Sequence, residues 1–425
     1  MGCGVTELVK PSANEGQQRA IDLALDGPRV VVITGGPGTG KSWVTAAICD
    51  KWVERKRRIR LAAPTGKAAR RLQEATRRQA TTIHRLLEPT PTGTRQDGSK
   101  KFAFQRNSGY PIDGDIFIVD ESSMIDTSLM ASFMDAVPNH GRVIFVGDTF
   151  QLPPVGPGSP FRDILCARET ACVELKEVMR QASASDIVKV CHKMRSGGSH
   201  FDLADNPTKS DLVFLHEENE EVACQRIVNL YLRGVASLPR FQGIDPLSHI
   251  QIISPTKKGE CGTPKLNEVI QRMRGLPLFA DGKESRFRKG DKVIQTRNDY
   301  ELEITNGQMG IIQDSQKIGE REYFIVEFDD VDGKREVQVP RYENDLELGY
   351  AITIHRFQGS EAPVVIMGFS GVPFPLLERA LVYTGISRAR QLCVVVGDKG
   401  EFMRAARRVN SEKRRTHLTR MLDEV

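Results

Sequence analysis

The chain is poor in the features that would place it in a membrane or an oxidising compartment. No apolar run approaches the roughly 18 residues a bilayer span needs, and the N-terminal segment carries no signal-peptide pattern. Met1-Gly2-Cys3-Gly4-Val5-Thr6 fits the short myristoylation pattern, but no second membrane signal accompanies it and it is read as a chance match. The eight cysteines, at 3, 49, 166, 172, 191, 224, 261 and 393, include no C-x-x-C pair, which argues against a zinc site and a disulfide framework. A large excess of one charge sign is also absent: with 60 Lys and Arg against 55 Asp and Glu, the net +5 permits nucleic-acid contacts without demanding them. A soluble protein of a reducing cytoplasm is expected, associated with the nucleoid or, if phage-encoded, in the host cytoplasm. With 425 residues, 39% of them hydrophobic and 27% charged, the chain is too long for one ordinary core and predicts two or three domains.

What is present is a complete phosphate-binding loop. Thr34-Gly35-Gly36-Pro37-Gly38-Thr39-Gly40-Lys41-Ser42 follows an apolar run and precedes a helical pattern. Its glycines let backbone N–H groups curl around a polyphosphate. Lys41 reaches the β- and γ-phosphates, and the Ser42 hydroxyl suits Mg²⁺. ATP and Mg²⁺ are the expected cofactors.

Apolar strands alternate with helical patterns on either side of this loop. Strands are predicted over 29–34, 59–63, 115–120 and 142–148, with helices over 41–54, 66–77 and 126–137. A second set has strands over 249–255, 363–369 and 392–397 and helices over 264–273 and 376–386. The pattern predicts two doubly wound α/β cores in tandem. Residues 88–111 read as a β-hairpin insert around Asp97-Gly98, and 290–340 as the short strands of a small β-barrel. The expected units are therefore 1–87 with 112–170, hairpin 88–111, 171–287 with 345–425, and barrel 288–344.

Further chemistry sits at strand ends. Ile116-Phe117-Ile118-Val119-Asp120-Glu121 delivers two adjacent carboxylates, with Asp120 suited to hold the metal and Glu121 to orient attacking water. In Val146-Gly147-Asp148-Thr149-Phe150-Gln151, the amide of Gln151 is placed to report the γ-phosphate.

These motifs, with Gln17, Ala-Pro-Thr-Gly-Lys-Ala-Ala at 63–69, Thr-Ile-His-Arg-Leu-Leu at 82–87, Val-Asp-Glu-Ser-Ser-Met at 119–124 and Gly-Asp-Thr-Phe-Gln-Leu-Pro-Pro at 147–154, resemble superfamily 1 helicases of the RecD/Dda-like subgroup B. The likeness continues through Glu177-Val178-Met179-Arg180-Gln181, Asn306-Gly307, the stretch 353–361 and the stretch 383–390. It implies two RecA-like cores, with the barrel an SH3-like insert and the hairpin a strand-splitting pin. It also implies Gln17 on adenine, Glu361 on the ribose, and Arg180 and Arg388 as arginine fingers reaching the γ-phosphate from the second core.

Single-stranded DNA is expected to lie across both cores, over Pro64, Thr65, Thr82 and His84 on the first and Thr353 and His355 on the second, with Phe102 or Phe104 of the pin stacking on the last base pair. The resemblance implies a monomeric ATP-dependent helicase that translocates 5′→3′ and unwinds duplex DNA at single-strand/duplex junctions. Candidate partners are a single-stranded-DNA-binding protein or replication, repair and recombination proteins. A 3′→5′ superfamily 1 helicase, an RNA-directed relative and a translocase that displaces proteins without unwinding remain alternatives.

Overall fold

The computed structural model describes residues 13–94, 100–167, 170–179, 182–280, 282, 285–299, 301–330, 333–342, 344–409 and 418. The first core comprises α1 (Glu15–Asp26), β1 (Val30–Gly35), α2 (Lys41–Glu54), β2 (Ile59–Ala63), α3 (Gly66–Thr76), β3 (Ala80–Thr82) and α4 (Ile83–Leu86). The hairpin β4 (Pro89–Thr94) and β5 (Lys100–Phe104) interrupts it before β6 (Ile116–Val119), α5 (Thr127–Ala136), β7 (Arg142–Gly147), α6 (Pro160–Cys166) and β8 (Ala171–Leu175). All six strands of the main sheet run parallel, in the order β3-β2-β6-β7-β1-β8.

Alternation along these strands divides the core between two faces, as a sheet covered on both sides requires. Val31 and Ile33 join Ile144, Val146 and the α1 and α2 residues Ile21, Val44 and Ile48 on one side. Val32 joins Phe117, Val143, Phe145 and Phe133 on the other. Each fully buried side chain of this size contributes roughly 1.5–3 kcal/mol. The sheet thereby fixes the strand ends that carry the chemistry.

The second core holds α7 (Asp186–Arg195), β9 (Leu212–His216), α8 (Glu220–Asn229), α9 (Pro246–His249), β10 (Ile250–Ser254) and α10 (Thr263–Arg274). After the inserted sheet of β11 (Lys292–Gln295), β12 (Met309–Ile318), β13 (Arg321–Asp330), β14 (Gly333–Pro340) and β15 (Leu346–Leu348), it resumes with β16 (Ala351–Thr353), β17 (Ala362–Phe369), α11 (Arg379–Ile386), β18 (Ala389–Gly397) and α12 (Lys399–Arg407). Its parallel sheet has the order β16-β10-β17-β18-β9.

Two expected boundaries move. Residues 171–175 do not open the second core, because β8 pairs in parallel with β1 and completes the first sheet. The inserted sheet does not end at 344, because β15 pairs with β11 as its fifth strand. Both segments are short, and pairing rather than local pattern defines them. The insert is an antiparallel sheet in the order β14-β13-β12-β11-β15, packed around Phe287, Phe324, Val326 and Phe328, with Phe279 from the preceding segment closing the same cluster.

Candidate nucleotide and nucleic-acid site

The nucleotide loop is held from both sides. Gly40 adopts φ +84°, which only glycine takes without strain, and a Cβ there would stand 2.6 Å from the Gln17 amide nitrogen. Gln17 Nε2 donates to the Thr39 carbonyl (3.1 Å), and its oxygen accepts from Asn14 N (3.1 Å) in the capping box that opens α1. The Gln17 amide therefore braces the loop instead of projecting free toward a base. Lys41 Nζ donates to the carbonyls of Gly35 (2.6 Å) and Gly36 (3.1 Å), while Ser42 is exposed in the first turn of α2. Thr39 Oγ1 closes the loop on the Gly36 carbonyl (2.8 Å).

From the other side, the segment linking β8 to α7 crosses the loop. Met179 N donates to the Gly38 carbonyl (2.8 Å), and His192 Nε2 lies 3.3 Å from the Pro37 carbonyl. Arg195, three residues along the same face of α7, packs its side chain on Gly36. Its guanidinium donates to Asp148 (2.6 Å) and Glu174 (2.7 Å) and lies 4.5 Å from the Phe150 ring centre. Burial opposes its charge, but Asp148, Tyr383 and Glu174 together outweigh that and its pKa rises. Asp148 also accepts from Tyr383 Oη (2.6 Å) on α11, so one carboxylate ties the loop, α7 and the second core together. Arg180 and the adjoining Gln181 lie outside the described residues, so the expected role of Arg180 has no structural counterpart here.

Across the cleft, carboxylates and guanidinia meet. Asp120 ends β6 and accepts from Glu121 N (2.8 Å); burial, then the neighbouring Glu121, raises its pKa to about 6. Glu121 sits at φ +50°, a left-handed backbone uncommon for a glutamate, and its carboxylate lies 3.6 Å from Arg71 and 3.8 Å from Arg388. Arg388 is 2% exposed and is fixed by bonds to the Thr384 and Ser360 carbonyls (both 3.3 Å). Arg71 donates to Glu361 (2.5 Å), which also accepts from Arg390 (3.0 Å). Burial works against the Glu361 charge, but Arg71, Arg388 and Arg390 hold its pKa down. Glu361 is thus the second-core end of a bridge to α3, a different setting from an open ribose contact.

Gln151 is buried, and its side-chain oxygen has no hydrogen-bond partner among the described residues. The next residue is anchored to the second core twice: Leu152 N donates to Thr384 Oγ1 (2.8 Å), and its carbonyl accepts from Gln358 Nε2 (2.8 Å). These two bonds tie the loop that carries Gln151 to the second core.

A cavity of about 660 Å³ runs between α3, the inserted sheet and the second core, lined by Thr65, Thr82, Thr305, Asn306 and His355 among others. Thr65 caps α3 by accepting from Ala68 N (3.2 Å), with Pro64 just before it at the end of β2. Thr82 caps α4 through Arg85 N (3.2 Å), and Thr353 accepts from Arg356 N (3.3 Å). Burial lowers the pKa of both His84 and His355, favouring neutral imidazoles. Phe104 pairs with Pro89 at the base of the hairpin and meets His84 edge-on at 5.8 Å between ring centres, so it braces the hairpin and does not stand at its tip. Phe102 lies two residues further out and is half-buried; the turn at 95–99 lies outside the described residues.

Sequence reasoning missed Arg71, Arg195 and Arg390 as members of this site. No local pattern marks Arg71, whose partner Glu361 is 290 residues away, and Arg390 closes the quoted stretch 383–390 without a role having been read for it. The apolar stripe of α7, with Ile187, Val188, Val190, Cys191 and Met194 buried, was the available signal that His192 and Arg195 sit on an ordered element.

Comparison with known proteins agrees with this arrangement. Residues 12–212 match the family described as AAA domain, 266–328 the ATP-dependent RecD-like DNA helicase SH3 domain, and 348–396 the UvrD-like helicase C-terminal domain. The ATP-dependent RecD2 DNA helicase of Deinococcus radiodurans is 36% identical over 97% of this chain and 53% of its own length. The RecBCD enzyme subunit RecD of Mycolicibacterium smegmatis is 31% identical over 93% of this chain and 73% of its own. The chain thus spans about half the length of the first relative and nearly three quarters of the second. Among solved structures, a Bacteroides Pif1 helicase in complex with ADP-AlF3 and ssDNA shares the fold with a TM-score of 0.56 at 19% identity, over 94% of this chain and 95% of that one. The Pif1 helicase of Candida albicans does so with a TM-score of 0.51 at 16% identity, over 98% and 99%. With two RecA-like cores, an SH3-like insert and a RecD relative matched over nearly three quarters of its own length, the chain belongs to the RecD-like helicases.

Proposed function

We propose that the chain is an ATP-dependent DNA helicase that translocates 5′→3′ on single-stranded DNA and opens the duplex ahead of it. The observation that carries this reading is Glu121 of the first core lying 3.8 Å from the buried Arg388 of the second, beside the nucleotide loop. In this reading Lys41 and Arg388 stabilise the charge on the transferring phosphoryl group, Glu121 orients the attacking water, and Gln151 reports the γ-phosphate through Leu152 to the second core. Arg180 is proposed as the second arginine finger. Gln17 is proposed to set the adenine end of the site by holding the loop, and Glu361 to contribute through its bridge to Arg71.

Ser42 and Asp120 would hold Mg²⁺ together with the nucleotide's own oxygens. The donor set fits, because Mg²⁺ takes few protein ligands and a cation would favour the ionised form of the buried Asp120. When bound, the ion would neutralise phosphate charge.

The DNA strand would rest on Pro64, Thr65, Thr82, His84, Thr353 and His355, whose hydroxyls and neutral imidazoles form contacts that can break at each step. Phe102 is the better placed of the two hairpin phenylalanines to meet the junction. Strand displacement with ATP and Mg²⁺ on duplexes carrying either a 5′ or a 3′ single-stranded tail tests the proposal. Opening of the 5′-tailed duplex alone is expected. Opening of the 3′-tailed one alone would reverse the polarity, and hydrolysis without opening would favour a translocase.

A further inference from the structure

Two lysines from different domains face the nucleic-acid cavity without a carboxylate at ion-pair distance among the described residues. Lys67 stands in the first turn of α3, and Lys292 opens β11 of the inserted sheet; both line the 660 Å³ cavity. Lys292 is 5% exposed, and its ammonium makes one long bond, 3.3 Å to the Ile250 carbonyl. The Lys67 ammonium lies 5.8 Å from the centre of the Phe357 ring.

Burying an ammonium without a counter-charge is costly, so both groups shift toward the neutral amine. Burial, then repulsion from Lys67, lowers Lys292 to about 7; burial lowers Lys67 to about 8. The charged groups that face them do not cancel this. Asp329 on β13 attracts both and Asp245 attracts Lys292, while Arg274 on α10 repels Lys292 and Arg70 on α3 repels Lys67. Asp329 is itself exposed, so its pull is screened. One buried and one half-buried ammonium group share a cavity with Glu74, Glu303, Glu327 and Glu361, none of them ion-paired to either lysine among the described residues, and lack one thing: an anion that can enter with the ligand.

We infer that Lys67 and Lys292 form a phosphate subsite in the groove, through which the inserted sheet grips the DNA backbone jointly with the first core. The inference rests on the nucleic-acid reading above. It gives the insert a direct part in holding the strand. It also makes the grip proton-linked: the anion favours the charged amines, so binding takes up protons wherever the free lysines are partly neutral. The sign follows. Affinity is greatest below about pH 7 and falls as pH rises toward 9, by up to about tenfold per pH unit for each lysine fully coupled.

The test is fluorescence anisotropy of a fluorescein-labelled oligo(dT), titrated with the full chain across salt and across pH 6.5 to 9. For Lys67→Met and Lys292→Met we expect three- to tenfold weaker binding at pH 7. The slope of log affinity against log salt should become shallower by about 0.7 per lysine removed. Lys67→Arg and Lys292→Arg, whose guanidinia stay charged throughout, should keep the salt slope and flatten the pH dependence. Wild-type binding with both slopes unchanged in the methionine variants would overturn the subsite and leave the helicase reading intact. Failure of the wild type to bind oligo(dT) at low salt would sink the nucleic-acid reading itself. Should a methionine variant melt early, the arginine variants carry the decision: an unaltered pH dependence in them overturns the subsite.

Discussion

In the first core, β1 runs into Gly35 and the nucleotide loop; at the same place in the second sheet, β9 runs into His216-Glu217-Glu218-Asn219 and the start of α8. The places correspond because the sheets read β3-β2-β6-β7-β1 and β16-β10-β17-β18-β9 from their paired edges. Yet one turn offers glycines and Lys41, and the other offers Glu217, Glu218, Glu220 and Glu221 around the Asn219 cap. Asn219 already caps that helix N-terminus, and the four carboxylates around it would repel a polyphosphate. Identical strand endings diverge in the same way. Val146-Gly147-Asp148 leads to a carboxylate shared by Arg195 and Tyr383, whereas Asp398 after Val396-Gly397 merely caps α12 through Gly400 N and Glu401 N.

Other strand ends kept their chemistry in both copies. Pro64-Thr65 after β2 has its counterpart in Pro255-Thr256 after β10, and Thr256 Oγ1 likewise accepts a backbone N–H, from Lys258 (2.9 Å). The edge strands β3 and β16 each lead into Thr-Ile-His-Arg, with the threonine hydroxyl accepting from the arginine N–H in both places. The difference teaches a division of labour: the threonine caps are duplicated while the glycine loop stands in one core alone, and on the proposed function the first serve the groove and the second serves a nucleotide site that Arg388 completes.

Four substitutions test that division, in descending size of effect. Arg388→Ala should lower DNA-stimulated ATPase about a thousandfold or more, as loss of an arginine finger does. Normal turnover would break the claim that the second core completes the site. Lys41→Ala and Glu121→Gln should each cost about a hundredfold or more in steady-state hydrolysis, while Glu121→Gln still binds a fluorescent ATP analogue. Charge reversal of Glu218 in the corresponding turn should leave hydrolysis within about twofold of wild type, as expected of a surface change away from the reacting groups.

Thr82→Val and Thr353→Val should each remove about 1 kcal/mol of capping stability and weaken oligo(dT) binding severalfold. Their effects should add in the double variant, since the residues lie on separate cores. Smallest, Lys292→Met should raise the melting temperature at pH 7 by roughly 1 °C per kcal/mol recovered in a chain of this size. The folded pKa of Lys292, about 7, lies below its unfolded value, so the unfolded chain binds more protons between pH 7 and about 10.4. Wild-type stability from this group therefore rises with pH across that window, and the gain from Lys292→Met should shrink toward its upper end.

Much of this was legible beforehand where a local pattern carried it. The strands at 59–63 and 142–148 and the loop at 35–42 stand where period and glycine spacing place them. What escaped depends on distant partners. β8 is a strand because β1 is beside it, and β15 because β11 is. Arg195 reads as one basic residue in a polar stretch until the fold sets it against Asp148 and Gly36. Lys292 reads as a strand residue until three walls enclose it. Gln17 and Glu361 were expected on the adenine and the ribose; in this structure their side chains are engaged by Thr39 and Arg71, contacts that no spacing rule encodes.

The most direct test of the division of labour is the stoichiometry of ATP on Glu121→Gln in the presence of oligo(dT), measured by calorimetry and repeated with Lys41→Ala. One ATP per chain, lost on substitution of Lys41, is the predicted result. Two ATP per chain, or one that survives Lys41→Ala, would contradict a single nucleotide site completed by the second core.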